Sequence, residues 1–139
     1  MKQELDELLR QYAGSGEQSV NRLTAAGSNR VYYRLTLADG RTVVGVEGTN
    51  ADENRAFLVI GRHLRDVGLP VPEILAVSDS GMCYLLQDLG DDALFGLMES
   101  ARESGNYSAE QVAMLEKVMN LLPDFQFKGG KGLDSSVCF

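Results

Sequence analysis

The sequence contains no tryptophan, one histidine, three prolines and only two cysteines. The cysteines, Cys83 and Cys138, are too few for a disulfide framework and lack the spacing of a zinc site, so they indicate a reducing compartment. No apolar run approaches the roughly 20 residues that a membrane helix needs. Residues 1–6 are also too polar and too acidic for a signal peptide. These absences predict a soluble, cytoplasmic protein without a membrane partner.

The sequence also has fewer basic than acidic residues. The chain has 139 residues, with 13 lysines and arginines against 20 aspartates and glutamates, so its formal net charge is -7. Nucleic-acid binding depends on phosphate contacts and therefore on a basic surface. The composition argues against nucleic acid as the main partner, whereas a nucleotide needs only a local cluster of donors.

Helix and strand patterns alternate over the first part of the chain. Apolar residues at helical spacing predict a helix over 3–12. Three strands with short connections follow at 18–24, 31–37 and 42–47. Asp39-Gly40 is the hairpin signal between the second and third strands. The short connections imply an antiparallel meander.

A longer helix separates this meander from two further strands. The pattern predicts a helix over 52–67 that ends at Gly68, because glycine is favoured at the position just after a helix. Strands follow at 74–78 and 82–87.

Helical patterns return in the last third of the chain. The first covers 93–98, and the second begins at the capping-box residue Ser108 and is expected to end at Pro123. The predicted fold class is α+β: a five-stranded antiparallel sheet with one crossing helix, followed by two helices. We divide the chain into a domain over 1–91 and a helical segment over 92–139.

Gly27-Ser28-Asn29 is the first place that could carry chemistry. A hairpin with glycine can bring backbone N–H groups close to an anion, because glycine has no Cβ and allows positive φ. A plain hairpin turn is the alternative, since the sequence contains no complete phosphate-loop motif.

Glu53 is the second candidate. It lies on the same predicted helix stripe as Phe57, Ile60 and Leu64. A carboxylate on an apolar face requires a partner, and in kinase-type lobes this partner is a lysine that also holds phosphate. Alternatively, Glu53 is only the acid of a helix start, with Asn50 as the N-cap.

The end of the fifth strand, at Gln87, Asp88 and Leu89, is the third candidate. Backbone groups at such a strand end would pair with the edge of an adenine ring, which leaves the side chains loosely constrained. An ordinary strand end followed by a helix cap is the alternative.

Four segments together resemble the aminoglycoside phosphotransferase family, and more closely its bacterial sugar and amino-sugar kinases. They are residues 27–35, 53–57, 68–74 and 84–90. The most specific parts are Gly68-Leu69-Pro70-Val71-Pro72-Glu73 and Asp88-Leu89-Gly90 at their mutual distance. The resemblance implies a protein-kinase-like N-terminal lobe that serves ATP-dependent phosphorylation of a small-molecule hydroxyl. The nucleotide-binding residues that it implies are Gly27, Ser28, Asn29, Glu53, Gln87, Asp88 and Leu89.

The sequence departs from this family in two ways. The third strand has no lysine where the family places its phosphate lysine, and Arg30 or Arg34 is the candidate substitute. The sequence also lacks a His-x-Asp catalytic loop and a later aspartate for Mg²⁺. We therefore expect an N-terminal lobe that binds ATP weakly at best and is inactive alone, with Mg²⁺ and the small-molecule acceptor held mainly by a second lobe.

Two other functions fit the same residues. The missing lysine suits a non-catalytic nucleotide-binding or protein-binding module that uses a kinase-like lobe, and an independent binding domain of unknown ligand is the third possibility. If the chain is a lobe of a larger protein, it would leave apolar surface exposed, and we expect self-association through residues 92–139.

Overall fold

The computed structural model describes residues 1–24 and 29–138. Its strands are β1 (Ser19–Leu23), β2 (Val31–Thr36), β3 (Thr42–Glu47), β4 (Ile74–Val77) and β5 (Cys83–Gln87). They form one antiparallel sheet in the order β1-β2-β3-β5-β4. The predicted α+β class, the five antiparallel strands and the meander of the first three are therefore confirmed.

Two helices, α1 (Gln3–Ala13) and α2 (Ala51–Asp66), cover opposite faces of this sheet. Successive side chains of a strand point to opposite faces. Val43 accordingly packs in a core with the leucines of α1, whereas Val46 packs with Leu58 of α2. Each face of the sheet thus has its own apolar core, and the strands β3 and β5 are buried on both sides.

Gly45 in β3 allows α1 to lie close to the sheet. A Cβ at this position would stand 2.8 Å from a methyl group of Leu35 and 3.0 Å from one of Leu5. Both distances are shorter than ordinary carbon contacts. The glycine therefore makes room for the leucines that form the α1 core.

Polar contacts anchor the start of α1. The carboxylate of Glu47, a residue that is 6% exposed, accepts the backbone N–H of Lys2. Glu4 accepts a hydrogen bond from the hydroxyl of Ser80, in the turn between β4 and β5. This bond, together with one from Ser78, lowers the pKa of Glu4. The first turn of α1 is thereby tied to two separate strand ends.

The end of α2 follows the predicted pattern. Gly68 has a φ of 77°, which glycine adopts without strain. Its N–H donates to the carbonyl of Arg65 at 2.9 Å, and the N–H of Leu69 donates to the carbonyl of Leu64 at 2.9 Å. These two bonds are the Schellman arrangement that satisfies the last carbonyls of a helix. The predicted helix end at Gly68 is confirmed.

The apolar stripe of α2 is only half-buried. Phe57, Ile60 and Leu64 line an apolar groove of about 240 Å³ beside the extended segment before β4. The residues that go deepest into the protein lie on a neighbouring face of the helix, at Asn54 and Leu58. The centre of the buried face is therefore shifted by about one residue from the predicted stripe.

The chain divides into two compact units, and Leu89–Leu133 forms the second. This unit contains α3 (Leu94–Leu97), α4 (Glu99–Ser104) and α5 (Ala109–Pro123). The prediction of two helices after the sheet is wrong, because α4 is a third. It was missed because its sequence is polar and only Ala101 is buried, so no apolar periodicity marks it.

The predicted helix end at Pro123 is confirmed, because α5 ends at this residue. Pro123 has a helical φ of -60° and removes only its own N–H donor. Asp124–Lys128 continue as a π-helix, in which the N–H of Gly129 donates to the carbonyl of Asp124 at 2.8 Å. The predicted capping box at Ser108 is confirmed in both of its hydrogen bonds. Within the described ranges, no helix combines the length and hydropathy that a membrane crossing requires.

Candidate functional site

The predicted phosphate hairpin is described only in part. Gly27 and Ser28 lie outside the described residues, and Asn29 is the first residue after them. Asn29 is exposed, and it is followed by Arg30, which is half-buried and directly precedes β2. The described end of the hairpin is therefore defined mainly by the contacts of Arg30.

Arg30 ties the hairpin to the first turn of α2. Its Nε donates to Oδ1 of Asn54 at 3.2 Å, and its Nη2 donates to the carbonyl oxygen of Glu53 at 3.1 Å. Its guanidinium carbon also lies 5.4 Å from the centroid of the Phe57 ring, within the range of a cation–π contact. Asn29 and Glu53, which the sequence analysis proposed separately, are thus connected through Arg30.

Asn54 holds Arg30 in place, although the sequence analysis did not single it out. It is 1% exposed, and its Nδ2 donates to the carbonyl of Gly81 at 3.1 Å. Gly48 leaves space for this side chain, because a Cβ there would lie 2.5 Å from both Cγ and Oδ1 of Asn54. A buried asparagine whose amide is fixed on both sides is a rigid support for the guanidinium.

The geometry beside Glu53 confirms that Asn50 is the N-cap of α2. The side-chain oxygen of Asn50 accepts the N–H of Asp52 at 2.9 Å and the N–H of Glu53 at 3.2 Å, as an N-cap does. This cap uses the backbone of Glu53 and leaves its carboxylate out of the arrangement. The proposed role of the half-buried carboxylate in phosphate binding therefore stays a prediction.

β3 provides no positively charged side chain that could bind a phosphate. Val46 is fully buried and packs against Leu58 and Tyr84 on the α2 side of the sheet. Glu47 points the other way, to its contact with Lys2. The α2 side of β3 is thus part of the apolar core.

The end of β5 is held by a bidentate ion pair. Nε of Arg34 lies 2.6 Å from one carboxylate oxygen of Asp88, and Nη2 lies 3.1 Å from the other. The two side chains are only 19% and 6% exposed. Arg34 belongs to β2, so the pair reaches across β3 and connects two strands that are not neighbours. Short, two-point arginine–carboxylate contacts are among the stronger polar interactions in proteins.

The other two residues predicted to lie beside the adenine ring, Gln87 and Leu89, have different environments. The backbone N–H of Gln87 donates to the carbonyl of Glu73 at 2.9 Å, so this group already serves the sheet edge next to β4. Leu89 is 64% exposed and is the first residue of the second unit. Gln87 and Asp88 are therefore rigid parts of the first unit, and Leu89 begins the next.

The two groups of candidates lie at opposite ends of β3. Glu47 pairs with Val31 and Cys83, near Arg30, whereas Val43 pairs with Gln87. Four residue steps separate these pairs, which corresponds to about 13 Å along a strand. Arg34 points to the α2 side, because its neighbours along β2 pack in the α1 core. Both groups therefore use the same face of the sheet.

Two titratable groups nearby are fully buried. Burial raises the pKa of Tyr84 to about 12, and its hydroxyl has no hydrogen-bond partner within the described residues. Cys83 is fully buried in the α1 core, and burial raises the pKa of its thiol to about 11. Among the residues that the structure describes, no group of histidine, cysteine or carboxylate side chains is arranged to hold a metal ion.

No protein-family model matches the chain, and no curated protein is significantly similar to it.

Proposed function

We propose that this chain is the ATP-binding N-terminal lobe of a phosphotransferase whose substrate is a small-molecule hydroxyl, such as that of a sugar, an amino sugar or an aminoglycoside. One observation carries the proposal. The hairpin end, tied to the first turn of α2, and the Arg34–Asp88 strand end lie one strand length apart on the same face of the sheet. That spacing is comparable with the length of an extended nucleotide.

In this proposal the adenine ring lies at the end of β5 and the phosphates lie at the hairpin. Backbone groups from Gln87 to Leu89 would contact the base, and Gly27, Ser28 and Asn29 would cover the phosphates. The antiparallel sheet with a helix between its third and fourth strands is the arrangement that the family resemblance implies. As the family resemblance implies, Mg²⁺ would be held mainly by a second lobe.

One observation favours a second candidate. β3 contains no lysine or arginine that could contact a phosphate. A non-catalytic module that binds a nucleotide or a protein would not need a cation there. The two candidates differ in their products, because only the phosphotransferase transfers phosphate from ATP to an acceptor when the product of the complete reading frame is assayed.

Nucleotide binding is tested by titrating the isotope-labelled chain with Mg·ATP in two-dimensional NMR, which detects millimolar affinities. We expect shifts at Asn29, Arg30 and Glu53 and at the end of β5. Asp88→Asn should weaken binding, because it disrupts the buried ion pair. Asp39→Asn is the matched control, since Asp39 pairs with Arg41 in a comparable but exposed contact. Absence of shifts at millimolar ATP, or shifts confined to α1, would contradict the proposal.

A further inference from the structure

If the chain binds a nucleotide, as proposed above, a positively charged side chain must contact the phosphates, and the structure indicates which residue supplies it. Triphosphate binding in kinase-type lobes depends on a positive side chain near the α- and β-phosphates. β3 cannot be the source, because it contains no lysine or arginine. The arginines of β2 and its approach, Arg30 and Arg34, are the cations on the α2 side of the neighbouring strand.

The guanidinium of Arg34 is held at the end of the sheet opposite the proposed phosphate site. Its guanidinium makes a two-point contact with Asp88, at the strand end where the base would lie. Moving it toward the hairpin would leave the nearly buried carboxylate of Asp88 without this partner, which is costly. Arg34 therefore serves the end of β5 and not the phosphates.

Arg30 is at the correct end and is held rigidly. It follows the Gly27-Ser28-Asn29 hairpin directly in the sequence and contacts the first turn of α2. The bonds to Asn54 and Glu53 fix the plane of its guanidinium, and Phe57 lies against it. A planar guanidinium whose orientation is fixed in advance suits the oxygens of a phosphate group.

We propose that Arg30 is the phosphate-binding cation of this lobe and replaces the strand-three lysine of the resembling family. Asn54, Gly48 and the carbonyl of Gly81 act as its positioning groups, because they fix the amide to which Nε donates. The ligand class is a nucleoside triphosphate, bound with its phosphates toward the start of α2.

The test compares the affinities for ATP and for adenosine, measured by NMR titration of the 139-residue chain. The wild-type chain should bind ATP more tightly than adenosine. Arg30→Gln keeps a neutral side chain beside Asn54 but removes the charge, and it should weaken ATP binding by about tenfold or more, the size expected for a charged hydrogen bond. Adenosine binding should change by less than about twofold. Arg30→Lys should recover part of the ATP affinity.

Arg22→Gln is the matched control. Arg22 is an exposed arginine on β1 that pairs with Tyr33, on the α1 side of the sheet, and its loss should leave both affinities unchanged. A preference for ATP that survives Arg30→Gln would overturn the inference, as would equal binding of ATP and adenosine by the wild-type chain. Failure of the wild-type chain to bind either ligand would instead overturn the proposed function. The dispersion of the NMR spectrum shows whether each variant is folded.

Discussion

Replacing Gly48 with alanine should destabilise the protein strongly, because the added methyl group occupies the place of the Asn54 side chain. An ideal Cβ at residue 48 would lie 2.5 Å from Cγ and Oδ1 of Asn54 and closer still to Nδ2. Asn54 is 1% exposed, so it has no solvent-filled space into which it can turn. Its displacement would break its bonds with Gly81 and Arg30.

The cost can be estimated from these contacts. Two hydrogen bonds at about 1 kcal/mol each, and at least one buried polar group left without a partner at about 1 kcal/mol, give about 3 kcal/mol of lost stability. Asn54→Ala alone removes the same bonds. Gly48→Ala combined with Asn54→Ala should therefore cost little more than Asn54→Ala, with a coupling energy of about 3 kcal/mol.

Urea unfolding followed by far-UV circular dichroism measures these differences. Gly96→Ala in α3 is the control, because a Cβ at residue 96 would meet nothing within 4 Å. It should leave stability unchanged or raise it by up to about 1 kcal/mol, the difference between the helix propensities of glycine and alanine. If Gly48→Ala unfolded at the wild-type urea concentration, or if its effect added to that of Asn54→Ala, the proposed packing of Asn54 would be refuted.

Three other expectations concern separate parts of the first unit. Arg34→Ala and Asp88→Ala should each lower the free energy of unfolding in urea by about 3 kcal/mol, whereas replacing both by apolar residues should cost less; a double replacement that costs the sum of the two single ones would argue against a coupled pair. Cys83 should react with Ellman's reagent far more slowly than the other cysteine at mildly alkaline pH, because burial raises its pKa to about 11. Hydrogen bonding from Ser80 lowers the pKa of Glu4 in the folded protein. The stability that Glu4→Gln removes should therefore be present at pH values above the pKa of Glu4 in the unfolded chain, and it should be lost as the pH falls through its pKa in the folded protein. Unfolding measured as a function of pH in the acid range tests this.

Much of the first unit could be predicted from local pattern. The bounds of β3 were predicted correctly because its apolar residues are bracketed by Asp39-Gly40 and Gly48, which mark turns. The end of α2 at Gly68 was predictable for the same kind of reason, since only a few residue types suit a left-handed position. Helix α4 carries no such signal, and its existence depends on packing that the sequence does not display.

The site was harder to predict than the fold, because it depends on contacts between residues far apart in the chain. Glu53 and Asn54 are adjacent, and a helix turns by about 100° between them. Apolar periodicity could not establish which of the two faces the protein interior. The choice between Arg30 and Arg34 likewise depends on where α2 and the end of β5 meet the sheet, and neither contact has a local signature.

The Arg34–Asp88 ion pair costs more free energy than the end of a strand requires. Removing both charges from water costs several kcal/mol per ion in general, and such pairs often add no net stability over apolar residues of similar size. Ordinary strand ends are closed by backbone bonds, and Gln87 already has one with Glu73. A buried pair that also reaches across β3 is therefore better explained by a need for a defined backbone position at Asp88 than by stability. A surface that presents backbone groups to the edge of a purine ring has that need, which supports the proposal that this strand end binds the nucleotide base.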